Sequence, residues 1–468
     1  MTPTSSFAPA PAAAPAASNP KISDTSSASG LHRVVIVGGG AGGLELATKL
    51  GITLGKKGKA HITLIEKARS HFWKPHLHEI AAGSIDLHVH ATDYLAQSHW
   101  HGFRYRVGEM VGLDRVNRLV LVGPVVDEDG VVVTPAYTRG YDTLVLAVGS
   151  STNDFGTPGV AEHAIALETT AEAERFHRRL VNACLRAHMQ TEPLGPRQLQ
   201  VAIIGAGATG VELAAELHKA TRTLVSYNLE RIDPERDIRM SLIEAGPRIL
   251  PALPERIAAS ATTLLQGLGV RVRTDSRVTA VTAEGVQLAS GELLPAELVV
   301  WAAGVKAPEF LRDLAGLETN KLNQLVVQPT LQSTLDEHVF AIGDCAAAPW
   351  LGKAGAVLQN VPPRAQAAHQ QASHMVGQIR RRLRGQPLKP WHYRDFGSLV
   401  SLGEYSTVGN LMGSLVGGNL WVDGLFARMM YLSLYKMHQV ALHGYWKTAL
   451  GSASRLLTRS TEPRVKLH

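Results

Sequence analysis

Three glycines at positions 205, 207 and 210 stand in the stretch VAIIGAGATGVELAAEL (201–217), spaced G-x-G-x-x-G between an apolar run and the apolar start of a helix. The chemistry this spacing serves is the binding of a dinucleotide pyrophosphate. Gly205 permits a tight turn, Gly207 lets backbone approach the phosphates, and Gly210 lets helix pack closely on strand. The helix N-terminus then presents its N–H groups and positive dipole end to the anion. Residues 34–50, VVIVGGGAGGLELATKL, repeat the pattern with identity at ten of seventeen positions. Gly38, Gly40 and Gly43 take the three glycine roles there, and Glu45 matches Glu212. Each unit needs a second strand ending in an acid that takes ribose hydroxyls. HITLIEKA supplies Glu66, and MSLIEAG supplies Glu244. Both acids come later than the usual ~20 residues, so each unit is expected to carry a lengthened helix or loop. One such motif is a weak signal. Two, each with its strand and acid, make a strong one.

The elements that position these residues repeat as well. YDTLVLAVGS (141–150) follows the first unit and AELVVWAAGV (296–305) the second, and both end in small residues around Gly149 and Gly304. Small residues at a strand end let backbone lie against a cofactor. Either strand alone is equally a buried strand ending at a turn glycine; their parallel placement favours the repeat. The fold class is therefore α/β, with two Rossmann-like dinucleotide-binding domains. Two bound dinucleotides in one chain point to electron transfer between a flavin and a nicotinamide.

Bulk properties bound the reading. A chain of 468 residues suggests two or three domains, and 45% hydrophobic content excludes a disordered protein. Residues 1–30 are rich in Ala, Pro, Ser and Thr and read as a flexible tail without the apolar core of a secretory signal. Nowhere do ~18 to 20 apolar residues run without charge, so no segment is expected to span a bilayer. The two cysteines, Cys184 and Cys345, are far apart, and EKARSHFWKPHLHEIAAG, after the first ribose acid, has none. Disulfide reduction is thereby excluded and a sulfide-oxidising cysteine relay disfavoured. Cys345 reads as a small buried residue at a helix start.

HFWKPHLHEIAAGS, GAGATGVELAAELH, IEAGPRILPALP, VWAAGVKAPEFL, AIGDCA, VPPRAQAAHQQ and SLYKMHQVALHGYWKT together make the chain resemble the bacterial type II NADH:quinone oxidoreductases. These are single-subunit respiratory enzymes that do not pump protons, and the likeness runs from about residue 31 to the C-terminus. The resemblance implies two domains of the flavoprotein disulfide-reductase type. An FAD domain is split into 31–154 and 306–395, an NADH domain occupies 155–305, and 396–468 is a membrane-associating region. FAD would be held by Gly38, Gly40, Gly43, Glu66, Gly149 and Asp344, the last at a Gly-Asp turn that in related enzymes meets the ribityl chain. NADH would be held by Gly205, Gly207, Gly210, Glu244 and Gly304. The carboxylate of Glu244 favours NADH over NADPH, because it repels a 2′-phosphate; Arg248, four residues on, reads as a surface arginine. Glu212, in the first helical turn, would face the meeting point of nicotinamide and flavin.

The family's Ala-Gln-x-Ala-x-Gln quinone motif falls on Ala365, Gln366, Ala368 and Gln370. Gln366 and Gln370 share a helical face, their amides could donate to quinone carbonyls, and the alanines would leave room for the ring. Without the resemblance, the stretch is an ordinary amphipathic helix with exposed glutamines. Seven histidines lie between His71 and His101. No nearby cysteine or well-spaced acid completes a metal site, and Lys74, Pro75 and His78 are expected to shape the flavin or quinone pocket. From Gly424 to His468 there are seven Lys/Arg and one acid, Glu462. That balance, with MMYLSLY and VALHGYW between the cations, suits helices lying on anionic lipid; the rival reading is a helix packed on the protein with a solvated basic face. The expected protein is peripheral, at the cytoplasmic face of the inner membrane, passing electrons from NADH through FAD to ubiquinone or menaquinone. The alternative is a soluble NADH-dependent flavoprotein reductase of a small electron-transfer protein. A homodimer is left open.

Overall fold

A computed structural model describes residues 30–352, 355–402, 406–411, 420–458 and 465. The expected N-terminal tail, apart from Gly30, lies outside them. So do four of the C-terminal charges: Arg459, Glu462, Arg464 and Lys466.

Along the chain, β1 (Arg33–Val37) leads into α1 (Ala41–Leu50) and β2 (His61–Glu66). Then come α2 (Leu77–Ala81), α3 (Tyr94–His101), β3 (Arg104–Val107), β4 (Thr143–Leu146) and β5 (Ser151–Thr152). The second unit runs through β6 (Ile165–Ala166), α4 (Thr170–Met189), β7 (Gln200–Ile204), α5 (Ala208–Val225), β8 (Arg239–Ile243), β9 (Arg271–Arg273) and β10 (Leu298–Trp301). The chain continues through β11 (Val305–Lys306), β12 (Gln332–Ser333), β13 (Asp336–Ala341) and α6 (Ala365–Arg382). It closes with β14 (Ser398–Leu402), β15 (Ser406–Leu411), β16 (Leu420–Asp423), α7 (Gly424–His443) and α8 (Tyr445–Thr458).

Two sheets carry the sequence repeat into three dimensions. The first has strand order β12-β13-β4-β1-β2-β3 and the second β6-β10-β7-β8-β9. In each, the glycine-motif strand pairs in parallel with the acid-bearing strand on one side and the small-residue strand on the other. The apolar residues of β1 and β7 are buried, as expected for central parallel strands covered on both faces. The delayed acids have the anticipated cause. A π-helical turn, Gly51–Gly55, extends α1, and α5 runs for eighteen residues before a long loop reaches β8.

The chain leaves the first unit through β5 and returns through β11, and these two strands pair antiparallel. Both crossings are thus stitched together at one place. The first core gathers side chains from both flanks of the insertion, including Val34, Leu144, Phe340 and Met375. The second gathers those of the inserted unit, such as Ile203, Leu217, Leu242 and Val300. The C-terminal elements lean on both: Leu442 packs in the first core, Val400 and Leu402 in the second.

Candidate active site

The two glycine loops have nearly the same geometry. Gly38 and Gly205 sit at φ +100° and +98°, the left-handed region in which a Cβ is unfavourable. A Cβ on Gly43 would collide with the Gly38 carbonyl, and one on Gly210 with that of Gly205. The middle glycines differ in kind: Gly40 and Gly207 face open space. They also cap α1 and α5 at φ −64° and −70°, without side-chain caps. Helix-end N–H groups therefore open onto an unfilled cradle, the arrangement that suits a pyrophosphate.

The ribose acids complete each cradle identically. Glu66 accepts from Gly39 N at 2.6 Å and Ala68 N at 3.0 Å. Glu244 accepts from Ala206 N and Gly246 N, both at 2.9 Å. Arg248 departs from the sequence expectation. It is half-buried and donates to the Leu253 and Pro251 carbonyls at 2.8 and 2.9 Å, tying down its own loop.

Asp344 lies beside the first cradle. It accepts from Ser150 Oγ at 2.8 Å, while Lys74 Nζ donates to the Ser150 carbonyl at 2.9 Å. Burial pushes the Asp344 carboxyl above its ordinary value; the Ser150 hydrogen bond and the Lys74 charge pull it back. Lys74, Gly149-Ser150 and Asp344 thus converge from three separate parts of the sequence. Cys345 closes a single 3₁₀ turn, Gly343–Cys345, with no α-helix after it, because strand backbone resumes at Ala346. Its thiol donates to the Ile342 carbonyl at 3.3 Å, and burial lifts it to about 11. Burial lifts Cys184 to about 12. Neither is a ready thiolate.

Glu212 is the fifth residue of α5, so it opens the second turn; the first-turn expectation placed it one step too early. Its carboxylate is buried, accepts from Ser401 N of β14 at 3.0 Å, and lies 3.7 Å from His78 Nδ1. Burial holds His78 down to about 4, so the imidazole is neutral at physiological pH. Glu45, the matching glutamate, meets other partners. Lys49 Nζ approaches at 2.5 Å, Ser373 Oγ donates at 3.2 Å, and His369 Nδ1 donates a short bond. Burial opposes the charge, but His369 and Lys49 outweigh it and hold Glu45 below its ordinary value.

Helix α6 carries Gln366 and Gln370 on one face, as the spacing requires. Both amides are engaged by the following extended segment. Gln366 Nε2 donates to Asp395 Oδ1 (3.2 Å) and the Gly397 carbonyl (3.0 Å), and its oxygen accepts from Phe396 N (3.2 Å). Gln370 exchanges two bonds with the Arg394 backbone, at 2.8 and 3.0 Å. Both protons of Gln366 are therefore spent, whereas among the described residues Gln370 keeps one. Of the two motif alanines, Ala365 is half-buried and Ala368 is buried, its methyl packed where α6 crosses α1 at Gly42.

Sequence reasoning missed the link from the first cradle to the C-terminal helix. The Gly39 carbonyl accepts from Tyr94 Oη (2.8 Å) and His71 Nδ1 (3.0 Å). His71 Nε2 lies 2.9 Å from His438 Nε2 on α7. Because the carbonyl fixes the proton on His71 Nδ1, His438 must donate the second bond. Trp73 stacks between these groups, 4.2 Å from His438 and 5.5 Å from His369. Burial holds His71 down to about 4 and His438 well below its ordinary value. The only sequence signal was the count of histidines, whose partner lies 367 positions away.

Among the described residues no helix is long and apolar enough to cross a membrane. Comparison with known proteins gives the family. Residues 32–372 match the pyridine nucleotide-disulphide oxidoreductase family. A type II NADH:quinone oxidoreductase of Haemophilus influenzae is 41% identical over 450 residues, covering 94% of this chain and all of that one. One from Mycobacterium tuberculosis is 28% identical, covering 92% and 90%. The solved structure of NDH2 from Plasmodium falciparum in complex with NADH shares the fold, with TM-score 0.76, 19% identity, and 92% and 99% of the two chains covered. With duplicate cradles, an α/β fold of this type and relatives matched over nearly their whole length, the chain belongs to the type II NADH:quinone oxidoreductases.

Proposed function

We propose that the first cradle, with Asp344 and Gly149, holds FAD, that the second, with Gly304, holds NADH, and that a membrane quinone is reduced beside α6. In this reading the FAD domain comprises 31–154 and 306–395, the NADH domain 155–305, and the membrane-associating region 396–468. The observation that carries it is the duplicated cradle: two open helix N-termini, each with its acid already oriented on the loop. FAD, when bound, supplies the two-electron relay between the nicotinamide and the quinone.

The protein's own groups bind and orient. The N–H groups at Gly40 and Gly207 take the pyrophosphates, and Glu66 and Glu244 turn from loop N–H donors to ribose hydroxyls. Glu212, with neutral His78, sits where α5 approaches the segment 74–82 and positions the nicotinamide end. Gln370 offers its remaining amide proton to the quinone, while Gln366 holds the 394–397 segment that walls the site. The test is rapid mixing of the flavin-loaded enzyme, first with NADH and then with ubiquinone-1. Reduction by NADH and fast reoxidation by the quinone are expected; reoxidation only by an added electron-transfer protein would favour the soluble reductase instead.

We place the protein on the cytoplasmic face of the membrane, and contact with lipid draws support from the outward apolar residues of α8. Trp446, Leu450 and Leu457 point outward at 85%, 71% and 81% exposure, and Ala453 continues the stripe. Thr448 and Ser452 lie on the inner side, where Ser452 Oγ accepts from Lys436 Nζ of α7 at 2.8 Å. A helix packed only on protein would have the opposite orientation. An interfacial helix has this one.

A further inference from the structure

We propose that α3 and the lysine loop before β2 form a second membrane-contacting patch, continuous with α8, that engages anionic lipid headgroups. The proposal rests on the membrane reading of α8. Its own basis is a part of the FAD-cradle unit more than three hundred residues upstream.

Helix α3 reads YLAQSHWH. At 100° per residue, Tyr94, Gln97 and Ser98 fall on its buried side, and Leu95, His99 and Trp100 on the outer arc. Leu95 is 64% exposed and Trp100 52%. Beside it, the π-helical turn that lengthens α1 leaves Ile52 exposed and runs into Lys56, Lys57 and Lys59, all exposed. These pieces are held together. A Cβ on Gly55 would collide with the Gly102 carbonyl, and one on Gly102 with the Lys56 side chain, so turn and α3 end are in direct contact.

The patch also joins the tail. Lys447 Nζ of α8 sits 4.9 Å from the Trp100 ring centre. Gln97, fully buried, donates to the Leu442 carbonyl of α7 at 2.9 Å, and Thr92 Oγ1 meets His443 Nε2 at 3.4 Å. Exposed aliphatic and indole groups therefore lie next to four lysines on one connected surface, with α8's apolar stripe at its edge. Asp93 lies at the other, N-terminal end of α3, where it caps the helix by accepting from Ala96 N at 2.8 Å. Side-by-side apolar groups and cations fit a bilayer, whose surface offers both headgroup charge and acyl chain, better than a nucleic acid, which offers no apolar layer.

The test uses the full-length, flavin-loaded enzyme and flotation with phosphatidylcholine vesicles with or without phosphatidylglycerol. Changing Lys56, Lys57 and Lys59 together to Gln removes three surface charges that touch no cofactor-cradle residue. Each Lys near an anionic surface contributes a several-fold factor, so binding to the anionic vesicles is expected to weaken by about tenfold or more, and the difference to vanish at high salt. Turnover with ubiquinone-1 in detergent should be unchanged. A second measurement is independent of charge. Because Cys184 and Cys345 are both buried, Leu95→Cys can be labelled selectively with an environment-sensitive dye, whose emission should shift to the blue on anionic vesicles. Parent-like binding by the triple variant together with an unshifted dye overturns the patch while leaving the α8 anchor standing. Failure of the parent itself to float overturns both.

Discussion

Glu45 and Glu212 occupy the same position in two copies of one motif, each two residues beyond the last glycine, and both are buried. Their partners are unrelated. Glu45 is the anchor of an ionic cluster that clamps α1 to α6, the helix of the quinone motif. Glu212 accepts a backbone bond from β14 and faces a neutral histidine. The loops in front of them are nearly superposable, down to the acid gripping the residue between the first two glycines. What was duplicated is thus the backbone cradle, and what differs is what each helix's second turn holds in place. One glutamate fastens structure; the other is directed at the junction of the two units.

The sharpest way to break the equivalence is to fill the cradles. A Cβ at Gly40 or Gly207 would meet no protein atom within 4 Å, and both residues have negative φ, so Val at either position should leave the fold intact. Gly40→Val should yield a folded protein without flavin. Gly207→Val should keep flavin but lose NADH-driven reduction by about a hundredfold or more, as phosphate contacts to the helix end are blocked. Flavin absorbance and NADH titration distinguish the two, and flavin loss in both variants would show that the cradles are not independent.

The glutamates come next. Replacing Glu45 by Gln removes the buried carboxylate that Lys49, Ser373 and His369 all meet and should destabilise the protein by about 1 to 2 kcal/mol at neutral pH. Because the folded Glu45 pKa is depressed, its contribution is present above the ordinary carboxylate range and is lost as pH falls through the folded value. Thermal melts of the variant and parent should therefore converge in acid. Glu212→Gln keeps an acceptor for Ser401 N and should cost only about 1 kcal/mol, with the loss appearing in the rate of reduction by NADH. A Glu212→Gln enzyme with parental reduction kinetics would return that residue to a purely structural role.

The extent to which this was legible in the sequence follows from the range of each interaction. The cradles were legible because glycine spacing is a local backbone requirement, written within about seventeen residues and stated twice. The α/β class with two dinucleotide-binding domains followed from the same repeat. The Glu45–His369 pair spans 324 positions and the His71–His438 pair 367, and neither spacing leaves a local signature. The packing of Ala368 was hidden for the same reason: its methyl meets Gly42, which belongs to another part of the sequence. Charge in the tail was visible, but the outward turn of α8's apolar face required knowing which side α7 covers.

A smaller effect separates the two half-reactions. Gln370→Leu removes an amide proton left over among the described residues and should slow reoxidation by quinone about tenfold, the cost of one hydrogen bond to the acceptor. Gln366→Leu should act through the 394–397 segment it holds, raising the quinone KM more than it lowers the rate. Reduction by NADH should be nearly parental in both, since these amides bond the 394–397 segment rather than the second cradle's loop. Equal losses in both half-reactions would instead indicate a disturbed flavin site.

The smallest expected effect concerns the link between the first cradle and the tail, and its sign can be worked out. His71 and His78 have folded values near 4 against an ordinary 6.5, and His438 too is held well below its ordinary value, chiefly by burial. His71 also feels His369 and His443, and His438 feels those two, His71 and His76. A histidine kept neutral by folding binds more protons when unfolded. Stability is therefore full above about 6.5, begins to fall as pH drops below it, and keeps falling until about 4. One unit below the ordinary value, each such group costs on the order of 1 kcal/mol. The first cradle's loop is the one bonded to His71 through the Gly39 carbonyl, so the loss should be felt first where α7 docks on His71. Hydrogen exchange of α7 and of the Gly39 loop, followed as pH is lowered from neutral, should rise ahead of exchange in the Ala206 loop, and His438→Gln should flatten that difference. Simultaneous loosening of both loops would mean that the C-terminal helix reports on the whole fold rather than on the flavin cradle alone.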